Sequence, residues 1–249
     1  MAARQRSVVA LLTVLAMTVA AAQAGVTGPL FWIEVSNGEG QGQFVVPPNP
    51  NWFDPDTGTW TWNLPEPAQI RNPHTQDLLA VLESAWIVIH EDPAVSFSFS
   101  VLAGPSDTTF SIASALLVVA PPLSNAFGRA STAVSVTDLT GDGALLSGNG
   151  GAGGTASYLA QYNGFVPGGT PFADLLPSAS AGPWLTQTTT DAYPASGYVP
   201  VAGTVHNMSS MVTFTLSAND MASGTNFFEI IPEPGTALLT LVVLALRRR

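Results

Sequence analysis

The chain has 249 residues, of which 46% are hydrophobic and only 10% charged, a balance that excludes a low-hydrophobicity disordered polymer and allows a sizeable core. Lysine is absent, and between residues 25 and 231 only Arg71 and Arg129 face every carboxylate of the chain except Glu233. So acidic a surface lacks the cations that displace counterions from phosphate, which excludes nucleic acid as a partner; the absence of cysteine excludes disulfides and thiolate metal sites.

In chain order the first element is an export signal. "MAARQRSVVALLTVLAMTVAAAQAG" places Arg4 and Arg6 before an uncharged run from Val8 to Ala22, and Ala22-Gln23-Ala24 follows. This is the layout of a secretory signal peptide over residues 1–24. Ala22 and Ala24 are then the small residues read by signal peptidase, and Gly25 opens the mature protein. A retained membrane anchor is the alternative reading of the same run.

From Gly25 onward the hydrophobic period is two. In "VSFSFSV", Val95, Phe97, Phe99 and Val101 alternate with serines; in "MVTFTLSA", Val212, Phe214, Leu216 and Ala218 alternate with Thr213, Thr215 and Ser217. Such alternation predicts strands with one face buried and one wet. Further strands are predicted at Phe31–Val35, Thr59–Leu64, Ala85–His90, Thr109–Val119, Ala133–Leu139, Thr155–Gln161 and Asn226–Ile231, separated by Gly, Pro, Asn and Asp clusters. Only "TQDLLAVLES", Thr75 to Ser84, has helical spacing, through Leu78, Leu79 and Leu82, with Thr75 as N-cap. The fold expected is all-β: a single, jelly-roll-like β-sandwich domain over residues 25–229.

Several motifs within this body admit two readings. Trp52, Trp60 and Trp62 crowd around the turn "DPDTG", Asp54 to Gly58; Trp60 and Trp62 share one strand face, either packed in the core or open as a platform for sugar rings. "DLTGDG" puts Asp138, Thr140, Asp142 and Gly143 at the first, third, fifth and sixth places of a calcium loop. Asn149 stands where the twelfth-position Glu belongs, so a hairpin turn at Asp142-Gly143 competes with calcium. The glycine tract Gly141–Gly154 reads as a loop or hairpin tip, and its "GNGGAG", Gly148 to Gly153, lacks the strand–helix context of a dinucleotide site. His74, His90 and His206 are isolated, with no metalloprotease or nucleophile-elbow spacing. No catalytic residue, metal site or cofactor is predicted.

The last element is the tail. "IIPEPGTALLTLVVLALRRR", Ile230 to Arg249, holds an uncharged run from Thr236 to Leu246. As a helix it would reach ~16 Å, about half of a ~30 Å hydrocarbon core. Pro232 and Pro234 push the residue before each of them out of the helical region, which leaves an extended stretch at the membrane's outer edge. Arg247, Arg248 and Arg249 would stay on the cytoplasmic side. An earlier Pro-Glu-Pro, Pro65 to Pro67, has neither apolar helix nor basic cluster after it and reads as a turn.

Pro232-Glu233-Pro234, the short apolar helix and the terminal arginines resemble the PEP-CTERM sorting signal, here over residues 230–249. The resemblance implies export by a Gram-negative-type bacterium and a precursor transiently inserted in the membrane through its tail. It also implies cleavage by an exosortase-type membrane enzyme near the Pro-Glu-Pro, and association with extracellular polysaccharide and biofilm matrix. The expected protein is exported, non-enzymatic and located at the cell surface or in the matrix. Two alternatives differ in class: a secreted carbohydrate-binding module using the tryptophan cluster, with calcium assistance, and a secreted hydrolase built on clustered carboxylates or a histidine-centred cleft.

Overall fold

The computed structural model describes residues 25–233. In chain order its strands are β1 (Gly25–Asn37), β2 (Gly40–Val46), β3 (Phe53–Asp54), β4 (Thr59–Asn63), β5 (Ala68–Arg71), β6 (Leu78–His90), β7 (Ala94–Ala103), β8 (Thr108–Ser124) and β9 (Phe127–Thr137). They continue with β10 (Ala144–Gly148), β11 (Tyr158–Tyr162), β12 (Thr170–Leu175), β13 (Ser178–Ala181), β14 (Thr186–Tyr193), β15 (Val199–Pro200), β16 (Thr204–Leu216) and β17 (Met221–Ile231). Among the described residues the one helical turn is the short 3-10 segment Pro50–Trp52.

These strands form two antiparallel sheets packed face to face. The first runs β12-β11-β16-β8-β1-β2, with β10 and β13 attached beside β16; the second runs β14-β9-β17-β7-β6-β4-β3, with β15 on β9 and β5 on β6. The expected all-β sandwich is present. The alternation read from the sequence decides which atoms fill it. Val95, Phe97, Phe99 and Val101 of β7 are buried, while Ser96, Ser98 and Ser100 look outward. Burying each such apolar side chain contributes ~1.5–3 kcal/mol. Phe214 of β16 bridges the layers: its ring lies 5.7 Å from Phe99 in the opposite sheet and 5.3 Å from its cross-strand neighbour Phe110.

Two expectations fail. The helix predicted over Thr75–Ser84 is instead the start of β6, and Thr75 makes a turn in which its hydroxyl accepts the Asp77 N–H at 3.4 Å. The cause is a bulge between Leu82 and Ser84, which inserts an extra residue and shifts the phase of burial. Inward positions are Ala80 and Leu82 before the bulge, and Ala85, Ile87 and Ile89 after it. Two period-two runs joined out of phase therefore imitate a helical repeat. The hairpin expected at Asp142-Gly143 also does not exist, because β9 belongs to the second sheet and β10 to the first. That segment is a crossover between layers.

The glycine tract is likewise more than a loop tip. It contains β10, and a side chain on Gly148 would lie 2.3 Å from the Thr155 carbonyl, so only glycine lets the two segments approach. Pro65-Glu66-Pro67 forms the expected bend, between β4 and β5, which both lie along the same side of β6. There the prolines remove no interior ladder bond.

Candidate functional site

The tryptophans come together, but in the core. Trp60 and Trp62 do share a face of β4, and it is the inner one. Trp62 is buried with ring centroids 5.5 Å from Phe31 and 6.3 Å from both Phe44 and Trp52. Trp60 packs on Phe53 at 4.9 Å with its Nε1 shielded from solvent. They form no sugar platform. The nearby Asp54 serves its own turn, accepting the Asp56 N–H at 3.0 Å and the Thr57 hydroxyl at 2.8 Å; these bonds, led by that of Thr57, hold its carboxyl below the usual carboxylate range.

Asp138 likewise works as an acceptor of backbone donors. It is 2% exposed and takes N–H groups from Trp184 at 2.5 Å, Gly141 at 3.0 Å and Thr140 at 3.2 Å. Burial alone would push its carboxyl up; the converging N–H groups outweigh burial and hold it down to about 2. The neighbouring Leu139 N–H goes to Asp220 at 3.1 Å, and Asp220 also accepts the Ser217 hydroxyl at 2.5 Å. Asp142 accepts from Thr140. The lone pairs a cation would need at Asp138 already point at hydrogens, and no cluster of three or more His, Asp or Glu side chains occurs among the described residues. The loop's product is a displayed indole: Trp184 is 69% exposed, with its ring laid over Gly141.

The histidines stay apart. His74 precedes β6, His90 closes it with Nδ1 2.9 Å from the Thr59 hydroxyl, and His206 lies in β16 of the other sheet. Of the sorting residues, Pro232 and Glu233 are exposed immediately after β17. Ala22, Ala24, Pro234, Arg247, Arg248 and Arg249 lie outside the described residues.

What the sequence did not announce is the outer face of the second sheet. Register aligns Ser84, Ser100, Ser223, Ser135 and Thr188 in one row across β6, β7, β17, β9 and β14. The next row holds Trp86, Ser98, Thr225, Ala133 and Thr190. Trp86 is 38% exposed. At one end Arg129 donates from Nε to Glu229 at 2.7 Å, and Tyr198 donates its hydroxyl to the same oxygen at 2.7 Å. That bond raises the Tyr198 phenol above its ordinary value. The guanidinium also lies 4.9 Å from the Tyr198 ring centroid and 5.0 Å from that of Phe227, so its plane is fixed from three sides.

The fold and these surfaces define the class of an antiparallel two-sheet β-sandwich with a polar outer face. No family model matches the chain, and neither does any curated protein. A solved structure of the infectious bursal disease virus Gt strain is similar at 12% identity over 86% of this chain, with a TM-score of 0.23. The match spans 62% of the viral chain.

Proposed function

We propose that this chain is an exported, non-enzymatic surface or extracellular-matrix protein: a jelly-roll-like sandwich delivered by an N-terminal signal and sorted through its C-terminal tail. One observation carries the reading. Every strand, and every buried core residue among those described, lies at or before Ile231, and the exposed Pro232 and Glu233 follow directly. Cleavage near Pro232–Pro234 therefore takes nothing from the described core.

The exit point is also firm, since β17 sits between β9 and β7 in the interior of its sheet. A processing enzyme in the membrane would act on a tail anchored by an eleven-residue strand. The jelly-roll element of the proposal rests on the repeated crossovers, among them β7 to β8, β8 to β9, β9 to β10 and β16 to β17, and on the pairing of β8 with β16 and β9 with β17. Filled backbone-donor sites at Asp138 and Asp220, and dispersed histidines, support a non-enzymatic role.

Intact mass of the chain recovered from outside its host tests the proposal. The expected mass begins at Gly25 and ends close to Pro234. Replacing Arg247, Arg248 and Arg249 with glutamate is expected to leave membrane-associated precursor at full tail length, because the positive-inside bias that orients the tail is removed. Recovery of outside material still carrying those arginines would overturn the sorting role.

A further inference from the structure

We propose that the outer face of the second sheet is a binding groove for an uncharged polysaccharide, laid across β7, β17 and β9. This goes beyond the export reading and stands independently of it.

Three depressions adjoin along this face, with volumes of about 290, 490 and 400 Å³. Ala133 and Thr225 line both the first and the second; Ser131 and Phe227 line both the second and the third. The result is one continuous trough, with Trp86 of β6 beside its first part and Arg129 at its far end. The depressions are open rather than enclosed, which suits an extended chain of several rings lying along the sheet.

The chemistry of the lining selects the occupant. Among the described residues, the hydroxyls of Ser98, Ser100, Ser131, Ser223 and Thr225 have no hydrogen-bond partner. On the outer face of the first sheet such hydroxyls are used up between the central strands β8 and β16: Thr109 pairs with Thr215 at 2.9 Å, and Ser111 with Thr213 at 3.2 Å. The second sheet pairs Ser135 with Thr188 at 2.7 Å and Thr137 with Thr186 at 2.9 Å only along its β9–β14 edge; the hydroxyls over β7 and β17 are left for a ligand. A hydroxyl donates once and accepts twice, the same capacity as the hydroxyls of a sugar ring. Adjacent strands are ~4.8 Å apart, so the row of hydroxyls repeats on the scale of one ring. Trp86, 38% exposed, offers aromatic surface to the apolar face of such a ring.

Charge excludes a polyanion. Arg129 is already neutralised by Glu229, which leaves its two terminal nitrogens as fixed donors rather than as a net positive centre. Asp191 lines the middle depression, and the sandwich as a whole is strongly acidic. A chain rich in carboxylates or sulfates would meet repulsion from Asp191 and from the net negative charge of the protein, with no unpaired cation among the lining residues to offset it.

The test is affinity electrophoresis of the protein recovered from its host, in gels containing hydroxyethylcellulose, dextran, galactomannan or alginate. Retardation by at least one neutral polymer and none by alginate is expected. Trp86→Ala and Thr225→Arg, on different strands, should each weaken that retardation about tenfold while the melting temperature stays near that of the parent chain. If one variant fails to fold, the other decides. Absence of retardation by every neutral polymer, equal retardation by alginate, or full retardation of a folded variant would each overturn the groove. None of these outcomes touches the masses that test sorting.

Discussion

Phe214→Ala is expected to lower the free energy of unfolding by about 3–5 kcal/mol, the range for removing a fully buried aromatic ring. Phe214 is completely enclosed and stacks on Phe110 within its sheet and on Phe99 across the layers. Its loss opens a cavity at a point where both sheets meet, and β-strands paired on either side cannot close in without breaking ladder bonds. Urea titration followed by tryptophan fluorescence would show the midpoint falling with little change in slope. Phe214→Leu, which keeps most of the volume, should recover more than half of the loss. A shift below ~1 kcal/mol for the alanine variant would mean that the two layers are not joined through this ring.

The sequence disclosed the fold where a strand keeps one phase and one wet face. β7 does so along its length, and β16 does so only at its end, where Val212, Phe214 and Leu216 point inward. Before that its register slips twice and both faces are covered, and Ala218 lies beyond the strand. β6 does not, because the bulge after Leu82 splits its pattern in two. β14, Thr186–Tyr193, is a polar edge strand with no buried position, so periodicity has nothing to register. β10, β12 and β13 are too short to show a period.

The site was less legible for a different reason. That Trp60 and Trp62 share a face follows from their spacing, but which face depends on the pairing Trp62↔Ile87 and on the packing of Phe31 from the other sheet. The serine row is a stronger case. Ser84, Ser100, Ser135 and Ser223 are unremarkable singly, and only long-range register sets them side by side. Asp142-Gly143 misled because a favoured turn dipeptide says how a chain bends and not which sheet it enters next.

Asp138→Asn is expected to lower the melting temperature by on the order of 10 °C. The substitution preserves volume but replaces a carboxylate that accepts from Thr140, Gly141 and Trp184 with an amide. One amide atom then presents hydrogens to backbone N–H groups that have no other partner. The damage extends beyond one loop, since the Trp184 bond ties the β13–β14 connection to the β9–β10 crossover. The pH dependence is the diagnostic part. The folded carboxyl is held at about 2, below its ordinary value of 3.8, so the unfolded chain takes up the proton first. The stabilisation is thus complete above pH 3.8 and is lost as pH falls through about 2. Melting curves of parent and variant should differ fully at neutral pH and converge between those two values. A gap that persisted at pH 2, or a variant as stable as the parent at pH 7, would show that the carboxylate does not anchor these crossovers.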